Sequence, residues 1–191
     1  MLPDPVNKTL TDFTSLATSD PSNYHDITSN PNLTPGNYPS LFGTGSDGKP
    51  YLKPGVYYVN NANGSTFNFS LGLSTSTPSN ITFVTSGAIN INSPSFNFTT
   101  YSQGILIFAN TGSDVTGGTT SVGVNFSGGN TSSSWHGIAY APYSKLQVSH
   151  ASGIRASGSL VADTIQVTNS ENITADSSLF GPPQAEIVLY E

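Results

Sequence analysis

The chain has 191 residues, which suits one domain with a sizeable core. Only 8% of its residues are charged, and the formal net charge is −6 with five Lys and Arg in total. Because five scattered cations cannot form a large basic surface, we expect no nucleic acid partner and no binding to anionic membranes. The absence of cysteine excludes disulfides and thiolate metal sites. No signal-peptide core and no run of 18 apolar residues occurs, so the sequence predicts no membrane segment in this chain.

Most of the polar residues are uncharged: the chain has 29 Ser, 22 Thr, 18 Asn and 19 Gly. Such a composition also occurs in disordered chains. However, 10 Phe and 9 Tyr are spread, together with Val and Ile, over short β-type runs. We therefore predict an ordered, all-β protein with a polar surface.

The N-terminal segment, residues 1–31, is rich in Pro, Asp, Asn and Ser. Its apolar residues follow a helical spacing and are Val6, Leu10, Phe13, Leu16 and Ala17. We predict a short amphipathic helix that lies on the domain or covers its N-terminal end, with a disordered lead-in as the alternative.

Strand patterns begin after residue 32. Leu33-Thr-Pro-Gly-Asn-Tyr38 and Leu52-Lys-Pro-Gly-Val-Tyr57 are near copies 19 residues apart, and each Pro-Gly pair predicts a tight turn that leads into a strand. Short strands with alternating apolar residues follow, and they are Thr66–Phe69, Ile81–Val84, Ala88–Ile91, Phe96–Phe98 and Ile105–Phe108. Their apolar residues are expected to point inward and their central Asn or Thr outward.

Residues 112–134 contain two polar loops around a predicted strand at Val122–Phe126. The second loop, residues 127–134, is too polar for a core, so we expect it to project from the domain. A last strand is predicted at residues 185–190, after Pro182 and Pro183.

The segment from Trp135 to Ala175 reveals the architecture. Gly137-Ile-Ala-Tyr-Ala, Leu146-Gln-Val and Ile154 recur as Gly158-Ser-Leu-Val-Ala, Ile165-Gln-Val and Ile173, with a shift of 19 to 21 residues. This repetition is typical of successive coils of a solenoid, in which inward residues stack on one another. We predict a single-domain, right-handed parallel β-helix (solenoid) over residues 32–191, with residues 1–31 as its N-terminal helix or cap. The handedness follows from the general rule for parallel crossovers.

The residues provide no recognisable catalytic centre. His25, His136 and His150 have no metal-ligand spacing, and Arg155 is the only arginine in the chain. The acidic residues mostly fall in turns rather than in a paired arrangement, so we expect no enzyme activity, no cofactor and no metal site.

Candidate binding and modification sites lie on the predicted outer surface. Tyr140 and Tyr143, with Asn130 and Ser132 of the 127–134 loop, are the residues expected to mediate adhesion. Nine N-x-S/T sequons occur, and three of them are predicted to face outward from strands, at Asn68, Asn97 and Asn125. These three are the candidate glycosylation sites.

Four short motifs resemble those of a known group of proteins. They are Leu52-Lys-Pro-Gly-Val-Tyr-Tyr, Gly104-Ile-Leu-Ile-Phe, Gly137-Ile-Ala-Tyr-Ala-Pro and Leu160-Val-Ala-Asp-Thr-Ile. Their order is similar to that in the C-terminal β-solenoid regions of TadG-like surface proteins associated with Flp or type IV pili. The membrane-spanning pilin-like helix with which such proteins usually begin has no counterpart here. The resemblance implies an extracellular or cell-surface role, with other cell-surface or pilus proteins, or surface glycans, as partners.

A looser resemblance leads to a different expectation. Leu33-Thr-Pro-Gly-Asn-Tyr38, followed by short coils and accompanied by a helix, is similar to the ice-binding β-solenoids. The threonines available for an ice-binding face are not regularly spaced, and they are Thr75, Thr77, Thr99, Thr100, Thr119 and Thr120.

We therefore expect an extracellular structural or adhesive module, probable in a pilus-associated setting, without catalysis. An ice-binding or carbohydrate-binding solenoid is the first alternative. A homopolymer, in which the strand at 185–190 adds to the edge of the next subunit, is the second.

Overall fold

The computed structural model describes residues 10–27, 32–60, 66–109, 122–149, 155–168 and 173–174. These residues form two short helices, α1 (Leu10–Thr14) and α2 (Leu16–Ser19), and a 3-10 helix at Pro39–Leu41. The strands are β1 (Tyr24–Asp26), β2 (Phe42–Thr44), β3 (Pro50–Leu52), β4 (Gly55–Val59), β5 (Thr66–Phe69), β6 (Ser79–Thr85), β7 (Ala88–Ile91), β8 (Asn97–Thr100), β9 (Ile105–Ala109), β10 (Val122–Phe126), β11 (Ser134–Ser149), β12 (Arg155–Thr168) and β13 (Ile173–Thr174).

Eleven of these strands pair in parallel and wind into a β-solenoid of about four turns. Its coils present three faces, and the long strands β11 and β12 bend through all of them. Face 1 contains the start of β6, then β8 and the first residues of β11 and β12, and β13. Face 2 contains β1, β4, β6, β9 and the middle of β11 and β12. Face 3 contains β5, β7, β10 and the last residues of β11 and β12. The predicted all-β parallel solenoid is therefore confirmed.

The repeat in the C-terminal part of the chain is the register of neighbouring coils. Gly137 pairs with Gly158, a shift of 21 residues, whereas Val148 pairs with Val167, a shift of 19 residues. The two shifts differ because the bend after Ala141 is longer in β11 than in β12. Ile154, which the repeat relates to Ile173, lies outside the described residues, as do the predicted loop at 112–121 and the predicted strand at 185–190.

The interior is filled by aromatic and aliphatic side chains that stack from coil to coil. The Phe83 ring is central: its centroid lies 5.8 Å from that of Tyr57, 5.8 Å from that of Phe69 and 6.2 Å from that of Phe98. All four side chains are buried. Each coil therefore covers the apolar residues of the previous one, as the sequence alternation predicts.

The predicted N-terminal helix lies on the side of the solenoid, against face 2. Phe13 is fully buried, and its ring centroid is 4.9 Å from that of Phe108 on β9. Phe108 in turn stacks on Tyr140 of β11 at 5.5 Å. Thus the outward side of face 2 is a second apolar layer, covered by the N-terminal segment. Ala17, assigned to the apolar stripe, is exposed instead.

The parallel sheet begins earlier than the predicted boundary at residue 32. β1 pairs with β4, placing His25 opposite Tyr57. The N-terminal segment therefore supplies both the helices and the first strand of face 2.

The near copies that begin at Leu33 and Leu52 are not stacked coils, contrary to the prediction. Leu33 and Leu52 are both buried, but the chain turns at residues 35–37, and β2 then pairs antiparallel with β3. The same Pro-Gly turn signal precedes a hairpin in one copy and a solenoid strand in the other. This hairpin and the residues before it close the N-terminal end of the core.

A glycine column marks the corner between faces 1 and 2. Gly137 and Gly158 have φ values of 136° and 149°, which disfavour residues with a side chain. A Cβ atom on Gly158 would lie 1.9 Å from the carbonyl oxygen of Gly137 in the neighbouring coil. The corner is closely packed because the two backbones leave no space for a side chain.

We expect Gly158→Ala to lower the free energy of unfolding by about 3 kcal/mol or more, since strain and overlap with backbone combine. Gly36→Ala is the matched control, because its Cβ would have nothing closer than Thr34 Oγ1 at 3.9 Å. Urea denaturation of both variants measures the difference. Equal stability of the two variants would contradict the corner packing.

His25 links the N-terminal strand to the core. Its ring centroid is 4.9 Å from that of Tyr57, and its Nε2 atom is buried without a hydrogen-bond partner. Burial lowers the pKa of His25, and this outweighs the opposing effects of the Pro54 backbone and the Asp20 carboxylate. The fold therefore favours the neutral imidazole.

We expect the protein to lose stability as the pH falls below about 6.5, the model value for His25. In this range the unfolded chain binds the proton that the folded state resists, so the contribution of His25 is present above the unfolded pKa and declines towards the folded pKa. Urea midpoints at pH 7.5 and pH 5 measure the loss. A His25→Gln variant should show a smaller pH dependence, and an unchanged dependence would exclude His25 as its source.

Candidate functional site

The outward side of face 3 carries a row of side-chain amides that we call the amide face. Its central row consists of Asn68, Asn90, Asn125, Gln147 and Gln166, on β5, β7, β10, β11 and β12. Each is paired in register with the next, so the rungs follow the strand spacing of about 4.8 Å. Their chain neighbours point inward and form the core, for example Phe67 and Phe69 around Asn68.

Hydrogen bonds connect the asparagine rungs. Asn90 donates from Nδ2 to Asn68 Oδ1 at 3.1 Å, and Asn125 donates from Nδ2 to Asn90 Oδ1 at 3.1 Å. Ser127 and Ser149 add hydroxyl donors, to Asn90 Oδ1 at 2.9 Å and to Asn125 Oδ1 at 3.3 Å. The ladder thereby fixes the orientation of the amides, as in stacked Asn and Gln ladders of other parallel sheets.

The ladder leaves donor capacity for a ligand. Asn90 and Asn125 each use one of two amide N–H groups within the ladder, which leaves the second of each for a partner. Lys145 is the charged side chain beside the central row, and its Nζ donates to Gln166 Oε1 at 3.2 Å. The amide face therefore presents neutral donors and acceptors in a fixed row, together with one cation.

Tyr140, predicted as an exposed adhesion residue, is only 2% exposed. It does point out of the solenoid, but it stacks on Phe108 beneath the N-terminal segment, so this assignment is wrong. Tyr143 is 50% exposed, at the corner between faces 2 and 3.

Asn130 and Ser132 are exposed in the loop between faces 3 and 1, as expected. Asn130 Oδ1 accepts from the Ser132 backbone N–H at 2.9 Å, and Asn130 N–H donates to Ser133 Oγ at 3.0 Å, so the loop is internally bonded. Tyr143 precedes face 3 and this loop follows it. A strand as long as β10 spans about 15 Å, so the fold does not bring Tyr143 and the loop together.

The three predicted glycosylation asparagines occupy outward positions on different faces. Asn68 is exposed, whereas Asn97 and Asn125 are half-buried. Asn97 lies on face 1, where its Nδ2 donates to the Thr75 carbonyl at 3.1 Å and its Oδ1 accepts from Ser134 Oγ. Glycosylation at these residues stays a prediction.

The amide face was not recognised as a site from the sequence, although the central Asn of each short strand was expected to face outward. The signal lies in the triplets Phe-Asn-Phe, Ile-Asn-Ile and Val-Asn-Phe, at residues 67–69, 89–91 and 124–126. Their alignment was missed because 35 residues separate Asn90 from Asn125, against 22 between Asn68 and Asn90.

Other features of the described chain offer less chemistry. Within the described ranges, no group of three or more His, Asp or Glu side chains could hold a metal ion. A shallow depression is lined by Pro35, Pro39, Phe42, Gly43, Thr44, Gly48 and Pro50. None of these side chains is an acid or a base, so the depression provides no group for proton transfer.

Comparison with protein-family models, curated proteins and solved structures yields no match. Of the helices in the described part of the chain, none is long and apolar enough to cross a membrane.

We expect Asn90→Ala to lower the free energy of unfolding by about 1–2 kcal/mol, because Asn90 makes three hydrogen bonds in the middle of the ladder. Asn68→Ala is the control: Asn68 is exposed at the end of the row, and its loss should cost less than about 1 kcal/mol. Urea denaturation measures both values. A larger loss for Asn68→Ala would contradict a cooperative ladder.

Proposed function

We propose that this protein is a non-catalytic structural and adhesive module, displayed at the cell surface, that binds neutral glycan chains through the amide face. The observation that carries the proposal is the row of five amides in register on one outward face. Amide groups both donate and accept, which suits them to hydroxyl groups. Because adjacent rungs repeat at the strand spacing, an extended polymer has equivalent contacts along the whole row.

The scaffold supports such a role. A ligand that binds a preformed row of side chains incurs little ordering cost, since the ladder hydrogen bonds and the packed core already hold the amides. The low content of charged residues favours a neutral ligand over a nucleic acid or an acidic polymer. The cell-surface setting, with pilus association, rests on the resemblance of the four sequence motifs.

Ice binding is a second candidate, because the amide face is a regular row on a rigid solenoid. Its rungs are amides rather than threonines, and Lys145 with its hydrated ammonium interrupts the neutral surface. Thermal hysteresis measurements separate the two candidates: ice shaping would favour this second reading over glycan binding.

We expect Gln147→Glu to weaken glycan binding roughly 3- to 10-fold, which corresponds to loss of about one neutral hydrogen bond. Gln147 lies at the centre of the row and its side chain is half-buried. Gln103→Glu is the matched control, because it makes the same charge change at an exposed residue before β9, away from the amide face. Calorimetry with soluble neutral polysaccharides measures both. Absence of binding to every neutral glycan tested, or equal effects of the two variants, would contradict the proposal.

A further inference from the structure

The two ends of the described solenoid differ in how well the core is covered. At the N-terminal end, the first-coil residues Tyr57, Phe67 and Phe69 are buried beneath the hairpin and the segment before it. At the other end, Ile165 and Val167 of β12 are 48% and 47% exposed. Their partners in the previous coil, Leu146 and Val148, are 0% and 2% exposed, so these are core positions without a covering coil.

The strand β13 covers only the beginning of β12. Among the described residues, its pairs are Ala156 with Ile173 and Ser157 with Thr174. An apolar end with a strand edge invites pairing with another segment, and solenoids normally cap such ends.

We propose that residues 185–190 of the same chain, Ala-Glu-Ile-Val-Leu-Tyr, cap this end by adding as a parallel strand to the face 3 part of β12. Ala185, Ile187 and Leu189 alternate with Glu186, Val188 and Tyr190. The fully apolar set therefore covers Ile165 and Val167, and the set that contains Glu186 faces outward.

The spacing along the chain fits this position. Thr174 is stacked on Ser157, and Val167 follows Ser157 by ten residues. Ten residues after Thr174, the chain reaches Gln184, immediately before the proposed strand. The coil bends already absorb small differences in length, since the bend between Ala141 and Lys145 is two residues longer than its counterpart in β12.

The exposed area favours a cap from the same chain over a second copy. Two half-exposed side chains, with the partly exposed Leu160 and Ala162, offer on the order of 200 Å² of apolar surface. Each partner in a stable complex buries roughly 800 Å². A tethered segment needs less, because it does not lose the translational freedom of a separate molecule. The cap also argues against a polymer formed by donation of the same strand to the next subunit.

Cysteine pairs test the position directly, because the full chain contains no native cysteine. Gln166→Cys, which faces outward, is combined in turn with Glu186→Cys, Val188→Cys and Tyr190→Cys. At least one pair should form an intramolecular disulfide under mild oxidation, since neighbouring strands place Cα atoms within disulfide range. The controls are Gln166→Cys with the inward Ile187→Cys, and Gln103→Cys with Val188→Cys, both of which should retain free thiols. A disulfide-linked dimer would identify a second copy as the occupant. Failure of all three pairs, or equal crosslinking of either control, would overturn the proposed strand.

Substitutions in the full-length chain provide a second measurement. Ile187→Asp combined with Leu189→Asp should lower the melting temperature by roughly 4–8 °C and increase binding of a hydrophobic dye, because the charged residues cannot cover the core end. Val188→Asp places a charge on the outward side of the same segment and should leave both readouts nearly unchanged. Equal effects of the double variant and Val188→Asp would overturn the assignment of the inward side. These readouts do not involve glycans, so they remain informative whether or not the amide face binds one.

Discussion

The parallel register between neighbouring coils is the constraint on which the rest of this structure depends. Once Gly137 stands over Gly158, the backbone hydrogen bonds determine which residues stack at every following position of the coil. Inward, the register places apolar side chains on one another, so that they bury each other without any other layer. Outward, it aligns residues that are far apart in the chain. The aromatic core and the amide face are therefore two results of one pairing.

Close packing at the corners follows from the same constraint. Strands about 4.8 Å apart leave no space for side chains wherever two backbones turn together, which is why the corner between faces 1 and 2 needs glycine. Elsewhere, polar side chains satisfy the backbone at the bends: Thr82 donates from its hydroxyl to the Ile105 carbonyl and accepts from the Ser102 N–H, at 2.7 and 3.0 Å. The abundance of Ser, Thr and Asn thus has a structural basis independent of any ligand.

The sequence predicted those parts of the fold that repeat, because equivalent positions in neighbouring coils carry the same kind of residue. Val148 and Val167 are an example, and their register was predicted correctly. Irregular parts depend on tertiary packing that no repeat reveals. The hairpin of β2 and β3 follows a turn signal that also precedes a solenoid strand. Tyr140 was expected to point outward and does so, yet it is buried because the N-terminal helices cover that face. The amide face required knowledge of which strands are neighbours, across an interval of 35 residues.

The distribution of aromatic residues along the solenoid gives the molecule a direction of unfolding. Tyr57, Phe69, Phe83 and Phe98 fill the early coils, whereas the inward positions of β11 and β12 carry smaller residues such as Ala139, Ala141 and Ala162. In a stack whose units contact only their neighbours, local stability follows the burial within each unit, so the late coils are the weaker part. A mechanical load applied at the C-terminus therefore meets the weakest coil first and peels the stack one turn at a time towards the aromatic end. A load applied at the N-terminus pulls on Phe13 and β1, which are held across several coils at once. The same chain is consequently compliant when held by one end and stiff when held by the other.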